Sequence, residues 1–245
     1  DSDPTDSSNE TGKLFWHGWF NEFNFGKYNL ILHGVYNHGN VSINNIFYDN
    51  TETEVYRSVN RYKISGYLYD FQFSYQYNGK LNFNLVGIGT SGRPGRDADG
   101  MEASFKGNGY RTLAPGYAIS NIAIDFIGGY ALFTARDMSG LAEYGGYMNA
   151  IVFGPLQLTL GYYQLHANKA PRLSTNRYYN SLLGHKSSNF LGHEVNLNLK
   201  WSFYSDFQII FRSGYFIPGD GLRAITDYEF GNYLREAFVM GEYKF

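Results

Sequence analysis

Tyr67-Leu68-Tyr69-Asp70-Phe71-Gln72-Phe73-Ser74-Tyr75-Gln76-Tyr77 carries an aromatic ring at every second residue. Successive side chains of an extended chain point to opposite faces. Tyr67, Tyr69, Phe71, Phe73, Tyr75 and Tyr77 therefore share one face, opposite Gly66, Asp70, Gln72, Ser74 and Gln76. A helix would scatter these rings around its axis, so the period of two reads as a strand.

The same pattern recurs downstream. Val195, Leu197, Leu199, Trp201 and Phe203 lie opposite Glu194, Asn196, Asn198, Lys200 and Ser202. Leu156, Leu158, Leu160 and Tyr162 lie opposite Gln157, Thr159 and Gly161, and Ile209, Phe211 and Tyr215 opposite Gln208, Arg212 and Gly214. The apolar faces are most aromatic near the strand ends, and the polar faces carry amides more than Lys or Glu. A solvated sheet face usually carries more charge, whereas the lumen of a barrel favours amides. The composition agrees: 19% aromatic, with 23 Tyr, 20 Phe, 29 Gly and no Cys. Tyr, Trp and Phe in such numbers suit the girdles of an antiparallel transmembrane β-barrel in a bacterial outer membrane. A mean hydropathy of −0.37 excludes a helical membrane protein, and no apolar run approaches the ~18 residues a spanning helix needs. A net charge of −2 argues against nucleic acid as a partner. The soluble alternative, a β-sandwich or lectin, would pack Tyr69, Phe71, Phe73, Leu197, Leu199 and Phe211 against a second sheet. The barrel places them against lipid.

Turn chemistry cuts the chain into eleven extended segments. Short turns are expected at Gly26-Lys27, Asn78-Gly79, Gly128-Gly129, Gly154-Pro155 and Tyr204–Asp206. Long loops are expected at Ser42–Asn60, Thr90–Pro115, Asn168–Ser188 and Pro218–Gly231, with a hairpin formed by Tyr117–Ile127 and Tyr130–Arg136. Short turns alternating with long loops are the asymmetry of a barrel with a periplasmic and an outer side. Asp137–Gly140, a short connection on the outer side, is the exception. Residues 1–12 read as an acidic extracellular or disordered segment, and 13–245 as the barrel. Counted back from a periplasmic C-terminus, eleven strands start outside the cell, whereas single-chain bacterial barrels have even strand numbers. The expectation is about 10–12 strands here, as the C-terminal part of a larger barrel or as a complete one. In the first case a second polypeptide or an N-terminal segment would pair with both terminal strands.

The closing segment, Glu236 to Phe245, alternates Val239, Gly241, Tyr243 and Phe245 against Glu236, Glu242 and Lys244. A final strand of this kind, ending on Phe, resembles the insertion signal of bacterial outer-membrane β-barrels. Leu191-Gly192-His193-Glu194-Val195-Asn196-Leu197 and Gly214-Tyr215-Phe216-Ile217-Pro218-Gly219-Asp220 also resemble the closing strands of alginate-export-like, porin-like outer-membrane barrels. That resemblance covers roughly the last fifty-five residues and implies a channel of about sixteen to eighteen strands. It carries over no substrate, because no basic ladder suited to a polyuronate is evident.

The function expected is an outer-membrane channel for small hydrophilic solutes or exported material, embedded in outer-membrane lipid and lipopolysaccharide. Asp70, Gln72, Gln76, Glu194, Asn196, Asn198, Lys200 and Arg212 are the candidate pore-lining residues. Thr90–Pro115 is the candidate constriction, with Arg93, Arg96, Asp97, Asp99 and Arg111. No catalytic residue, metal or cofactor is assigned: none of the six His has metal-ligand spacing, and Asp97, Asp99 and Glu102 read as a solvated acidic loop more readily than as a Ca²⁺ site. Two alternatives remain. A lipid-active hydrolase would need His38 and Ser42 to converge, and an adhesin would rest on the outer loops alone.

Overall fold

The computed structural model describes residues 7–48, 54–91, 106–107, 140–168, 188–204, 206–225 and 233–243. They form one sheet and one short helix. The strands are β1 (Ser7–Phe25), β2 (Tyr28–Tyr48), β3 (Glu54–Asn78), β4 (Leu81–Thr90), β5 (Lys106–Gly107), β6 (Leu141–Phe153), β7 (Leu156–Ala167), β8 (Phe190–Ser202), β9 (Phe207–Pro218) and β10 (Leu234–Tyr243), and the helix α1 is Asp220–Ile225. All except β5 lie side by side in chain order, every neighbour antiparallel. The two-residue β5 adds to β3 in parallel, at Lys63 and Ile64. Nine alternating strands leave β1 and β10 pointing the same way, and these two are the edges of the described sheet.

The registers settle which side chains share a face. Gln76, Asn82, Asn149, Thr159, Asn198 and Arg212 form one cross-strand row. One residue along, the rings and aliphatics alternate to the other side: Tyr75, Phe83, Met148, Leu160 and Leu197 form the next row. Exposure runs opposite to that of a soluble sheet. On the apolar face Leu85 is 57% exposed and Val239 69%, whereas on the polar face Glu143, Glu194 and Asn37 are fully buried. Such inversion is stable only where the apolar face meets hydrocarbon. The arrangement is all-β and antiparallel, the inside-out wall of a transmembrane barrel. We call the polar face inner and the apolar face outer.

β3 shows the band in one strand. Phe71 and Phe73 stand at its centre, and Tyr67, Tyr69, Tyr75 and Tyr77 keep their phenols to the two ends. From Tyr67 to Tyr77 the strand rises ~33 Å. Tilted by ~40°, it spans the ~25 Å apolar height of a barrel. The stagger of such a tilt is present too. Phe25, the last residue of β1, shares a row with Ala237, six residues short of the end of β10. On the outer face, rings cover glycines of the neighbouring strand: Trp19 faces Gly34, Tyr69 faces Gly89 and Phe71 faces Gly87. A Cβ on Gly87 would fall inside the van der Waals surface of the Phe71 ring.

Several sequence expectations change. Ser42–Asn60 is mostly ladder rather than loop, because β2 runs to Tyr48 and β3 begins at Glu54. Beyond the lipid band both faces of a hairpin meet water, so a polar sequence does not prevent pairing. β1 begins at Ser7, within residues 1–12, the segment expected to be extracellular or disordered. β4 pairs directly with β6, and the contact is held at its outer end by the Leu141 amide donating to Thr90 Oγ1 at 2.9 Å. The expected hairpin Tyr117–Arg136 lies outside the described residues. All four short turns, at 26–27, 79–80, 154–155 and 203–206, fall at one end of the sheet, and the longer connections at the other. The turn expected at Asn78-Gly79 sits one residue later, with Asn78 Oδ1 accepting the Lys80 amide at 2.8 Å.

Candidate functional site

The inner face is built by alternation alone. Each strand that presents a ring outward must present the next side chain inward. Asp70, Gln72, Gln76, Glu194, Asn196, Asn198, Lys200 and Arg212, chosen from sequence, all stand on it. Gln72 and Glu194 share one row, and Gln76, Asn198 and Arg212 another, so these groups line one surface from β3 to β9. The sequence reading missed His33, Asn82, Asn84, Glu143, Tyr147, Asn149 and Tyr163 on the same surface. The signal was available for Asn82 and Asn84, which alternate with Phe83 and Leu85.

These side chains bond along and across the strands. Gln72 Nε2 donates to Ser74 Oγ at 3.2 Å, Ser74 Oγ to Asn84 Oδ1 at 2.7 Å, and Asn84 Nδ2 to Asn82 Oδ1 at 3.1 Å. Thr159 Oγ1 donates to Asn149 Oδ1 at 2.6 Å. Gln76, Asn82, Asn149, Gln157 and Thr159 line a cavity of ≈ 300 Å³ at the turn end. Nearer the loop end the wall becomes ionic. His33 Nδ1 lies 2.7 Å from Asp70 Oδ2, and Glu143 stands in the Asp70 row. Arg212 sits on the turn side, its guanidinium carbon 5.9 Å from the centre of the Phe238 ring. Uncharged amides with a few separated charges hydrogen-bond to water and hydroxyls without trapping either sign.

The inner face also carries apolar side chains, among them Phe20, Leu68, Val86 and Ile88, and one part of it is a packed apolar cluster. Leu165, Leu191, Phe216 and Leu222 are fully buried together with Ala167. Leu222 belongs to α1, within a stretch expected to be loop. Gly219 amide donates to Leu191 O at 2.8 Å, and Leu141 and Leu234 pack against the cluster. α1, which opens the β9–β10 connection, thus folds onto the inner wall over β7–β9. Leu191 is there because the β7–β8 register slips between Leu165 and His166, and Gly192, at φ 147°, occupies the backbone region open to glycine.

The proposed constriction residues Arg93, Arg96, Asp97, Asp99 and Arg111 lie outside the described residues, as does Glu102. His38 and Ser42 do not converge. Both stand on the outer face of β2, four residues or ~13 Å apart, and His38 stacks instead on Phe15, His17 and Tyr36. Among the described residues no His, Asp or Glu group is arranged to hold a metal ion.

No family model matches the chain, and neither does any curated protein. Among solved structures, a NanC porin in a rhombohedral crystal form aligns over 98% of this chain and 98% of its own. Sequence identity is 12% and the TM-score 0.38.

Proposed function

We propose that this chain forms the wall of an outer-membrane channel that passes small hydrophilic solutes along its inner face. The observation that carries this reading is the pairing of an inner face rich in amides and hydroxyls from β3 to β8 with an exposed, largely aromatic and aliphatic outer face. A barrel that served only as an anchor could fill its interior with apolar side chains, whereas a conduit needs groups that replace solvation along the way. Asp70, Gln72, Gln76, Glu194, Asn196, Asn198, Lys200 and Arg212 are assigned to that lining. α1 narrows the passage over β7–β9, at the loop end of the wall. Antiparallel closure of the wall takes an odd number of strands between β1 and β10, from this chain or another polypeptide, since an open edge in lipid leaves its amides unpaired.

Reconstitution in planar bilayers tests the reading. Discrete conductance steps are expected, with ion selectivity altered by Glu194→Gln or Arg212→Gln. Folded, inserted protein with no conductance would overturn the channel and leave a structural barrel. The hydrolase alternative as read from the sequence asked His38 and Ser42 to converge, and they stand ~13 Å apart.

A further inference from the structure

The polar lining of the ≈ 300 Å³ cavity at the turn end is nearly all uncharged. Gln76, Asn82, Asn149 and Thr159 stand in one cross-strand row, from β3 through β4 and β6 to β7. Gln157 lies two residues along β7 from Thr159 and shares their face, as does Ile151, its partner on β6. Neighbouring strands sit ~4.8 Å apart, so the row sets a hydrogen-bonding side chain at that interval over ~14 Å.

Part of this lining is already tied down. Thr159 Oγ1 donates to Asn149 Oδ1 at 2.6 Å, and Asn84 Nδ2 to Asn82 Oδ1 at 3.1 Å. Each of those carbonyls thus accepts one bond, which orients its amide, while the NH₂ groups of Asn82 and Asn149 have no partner among the described residues. The side-chain amides of Gln76 and Gln157 bond to no described residue, so each offers donors and an acceptor. Charge is placed elsewhere. Glu194 stands two inward-facing rows toward the loop end, and Asp70 and Glu143 three. The cavity's lining has no carboxylate, and its one lysine, Lys80, lies in the β3–β4 turn. Lys200 stands opposite Gln157 on β8.

An inner wall that only had to be wet could use any polar group. This one sets oriented donors and free amides beside an exposed aliphatic side chain, Ile151. A sugar ring is divided in the same way: hydroxyls around its edge donate and accept, while its C–H face is apolar. An amide meets a hydroxyl in both roles, whereas a carboxylate only accepts and an ammonium only donates. The lining offers no counter-charge to a cationic solute and a single turn lysine to an anionic one. We propose that this cavity is a binding subsite for a neutral saccharide of one or two rings. Its volume lies at the small end of the ~300–1,000 Å³ of small-molecule sites, and the ~14 Å row gives length for a second ring. The assignment deepens the channel reading and rests on it, because only a water-filled interior brings a sugar to this wall.

The test is maltose binding by the folded protein in phosphatidylcholine nanodiscs, titrated by saturation-transfer NMR beside sodium glucuronate and tetraethylene glycol. Maltose is expected to bind in preference to both, with little dependence on salt because neither partner need be charged. Asn149→Leu and Gln157→Leu should each weaken maltose by about fivefold, the factor equivalent to ~1 kcal/mol for one neutral hydrogen bond. Leu158→Val, next to Gln157 but on the outer face, should leave binding unchanged. Should a leucine variant lose its strand signal in circular dichroism, Asn149→Asp and Gln157→Glu carry the comparison, since they remove the NH₂ donors and keep the shape. No maltose binding by the folded protein, equal binding of glucuronate or of the glycol, or full affinity in the variants would overturn the subsite. Bilayer conductance of the same preparation reads the channel separately. Maltose bound without conductance keeps the subsite and removes the passage, and conductance without maltose binding does the reverse.

Discussion

Two parts of one inner face have opposite chemistry. From β2 to β6 it presents His33–Asp70, the relay Gln72–Ser74–Asn84–Asn82, and Asn149. Near the loop end of β7 to β9 it presents Leu165, Leu191 and Phe216, sealed by Leu222 from α1. Apart from Leu191, both parts obey the same alternation, so alternation does not choose the chemistry. What differs is cover. The first part has no described helix over it and interleaves groups that water can satisfy with Leu68, Val86 and Ile88. The second carries a folded connection and is packed as a small core. Where α1 folds over the inner face, the wall beneath it is apolar.

The largest expected effect breaks that cover. Phe216→Ala removes a fully buried ring against which α1 rests, and should lower the unfolding free energy by about 3–5 kcal/mol. Urea unfolding from vesicles would measure it. If α1 narrows the passage, single-channel conductance should rise in the same variant. An unchanged stability would mean that the cluster is not a core.

The next test separates the faces themselves. Leu197 and Asn198 are adjacent on β8 and point to opposite sides. Leu197→Arg puts a cation on the lipid face near mid-bilayer and should destabilise by about 2–4 kcal/mol. Asn198→Arg, on the row of Arg212, should change stability by less than ~1 kcal/mol while shifting ion selectivity toward anions. Equal losses at both positions would remove the distinction between lipid and lumen.

Smaller again is the packing of rings over glycines. Gly87→Ala sets a Cβ against the Phe71 ring and should destabilise by about 1–3 kcal/mol, as overpacking does. The double variant with Phe71→Ala should recover part of that loss in a double-mutant cycle. Additive losses would show that the ring had been free to move aside.

Residue spacing made the faces legible in the sequence and left the covers hidden. Tyr67–Tyr77 and Val195–Phe203 gave their outer faces directly, because a period of two survives any register. The shared face of Asp70, Gln72, Glu194 and Arg212 followed from the same parity. Leu191 could not be assigned this way, since the slip beside it reverses parity at that residue. Leu222 sits in a six-residue helix, too short to show a helical period. Ser42–Asn60 was hidden for another reason. Its polarity matched a loop, but a ladder outside the bilayer draws its stability from backbone pairing, which composition does not record. One sign of the cover was present and unread: Leu165 and Phe216 fall on the polar parity of β7 and β9, where the rest of the alternation would predict an amide.

The finest test asks how wet the uncovered part of the inner face is. Ser74 Oγ accepts from Gln72 and donates to Asn84 Oδ1 at 2.7 Å, so it links two strands through side chains alone. Ser74→Ala leaves Asn84 Oδ1 without that donor. If water reaches the site, it replaces the donor, and the loss should stay near the ~0.5 kcal/mol low end for a hydrogen bond. If the site is sealed, the buried acceptor goes unmet and the loss should reach ~1–3 kcal/mol. A conduit requires the first outcome here, while the Phe216 core requires a loss several times larger. Stability measured on the two variants side by side gives the ratio. A Ser74→Ala loss approaching that of Phe216→Ala would make both parts of the inner face one closed core, and the contrast between them would fail.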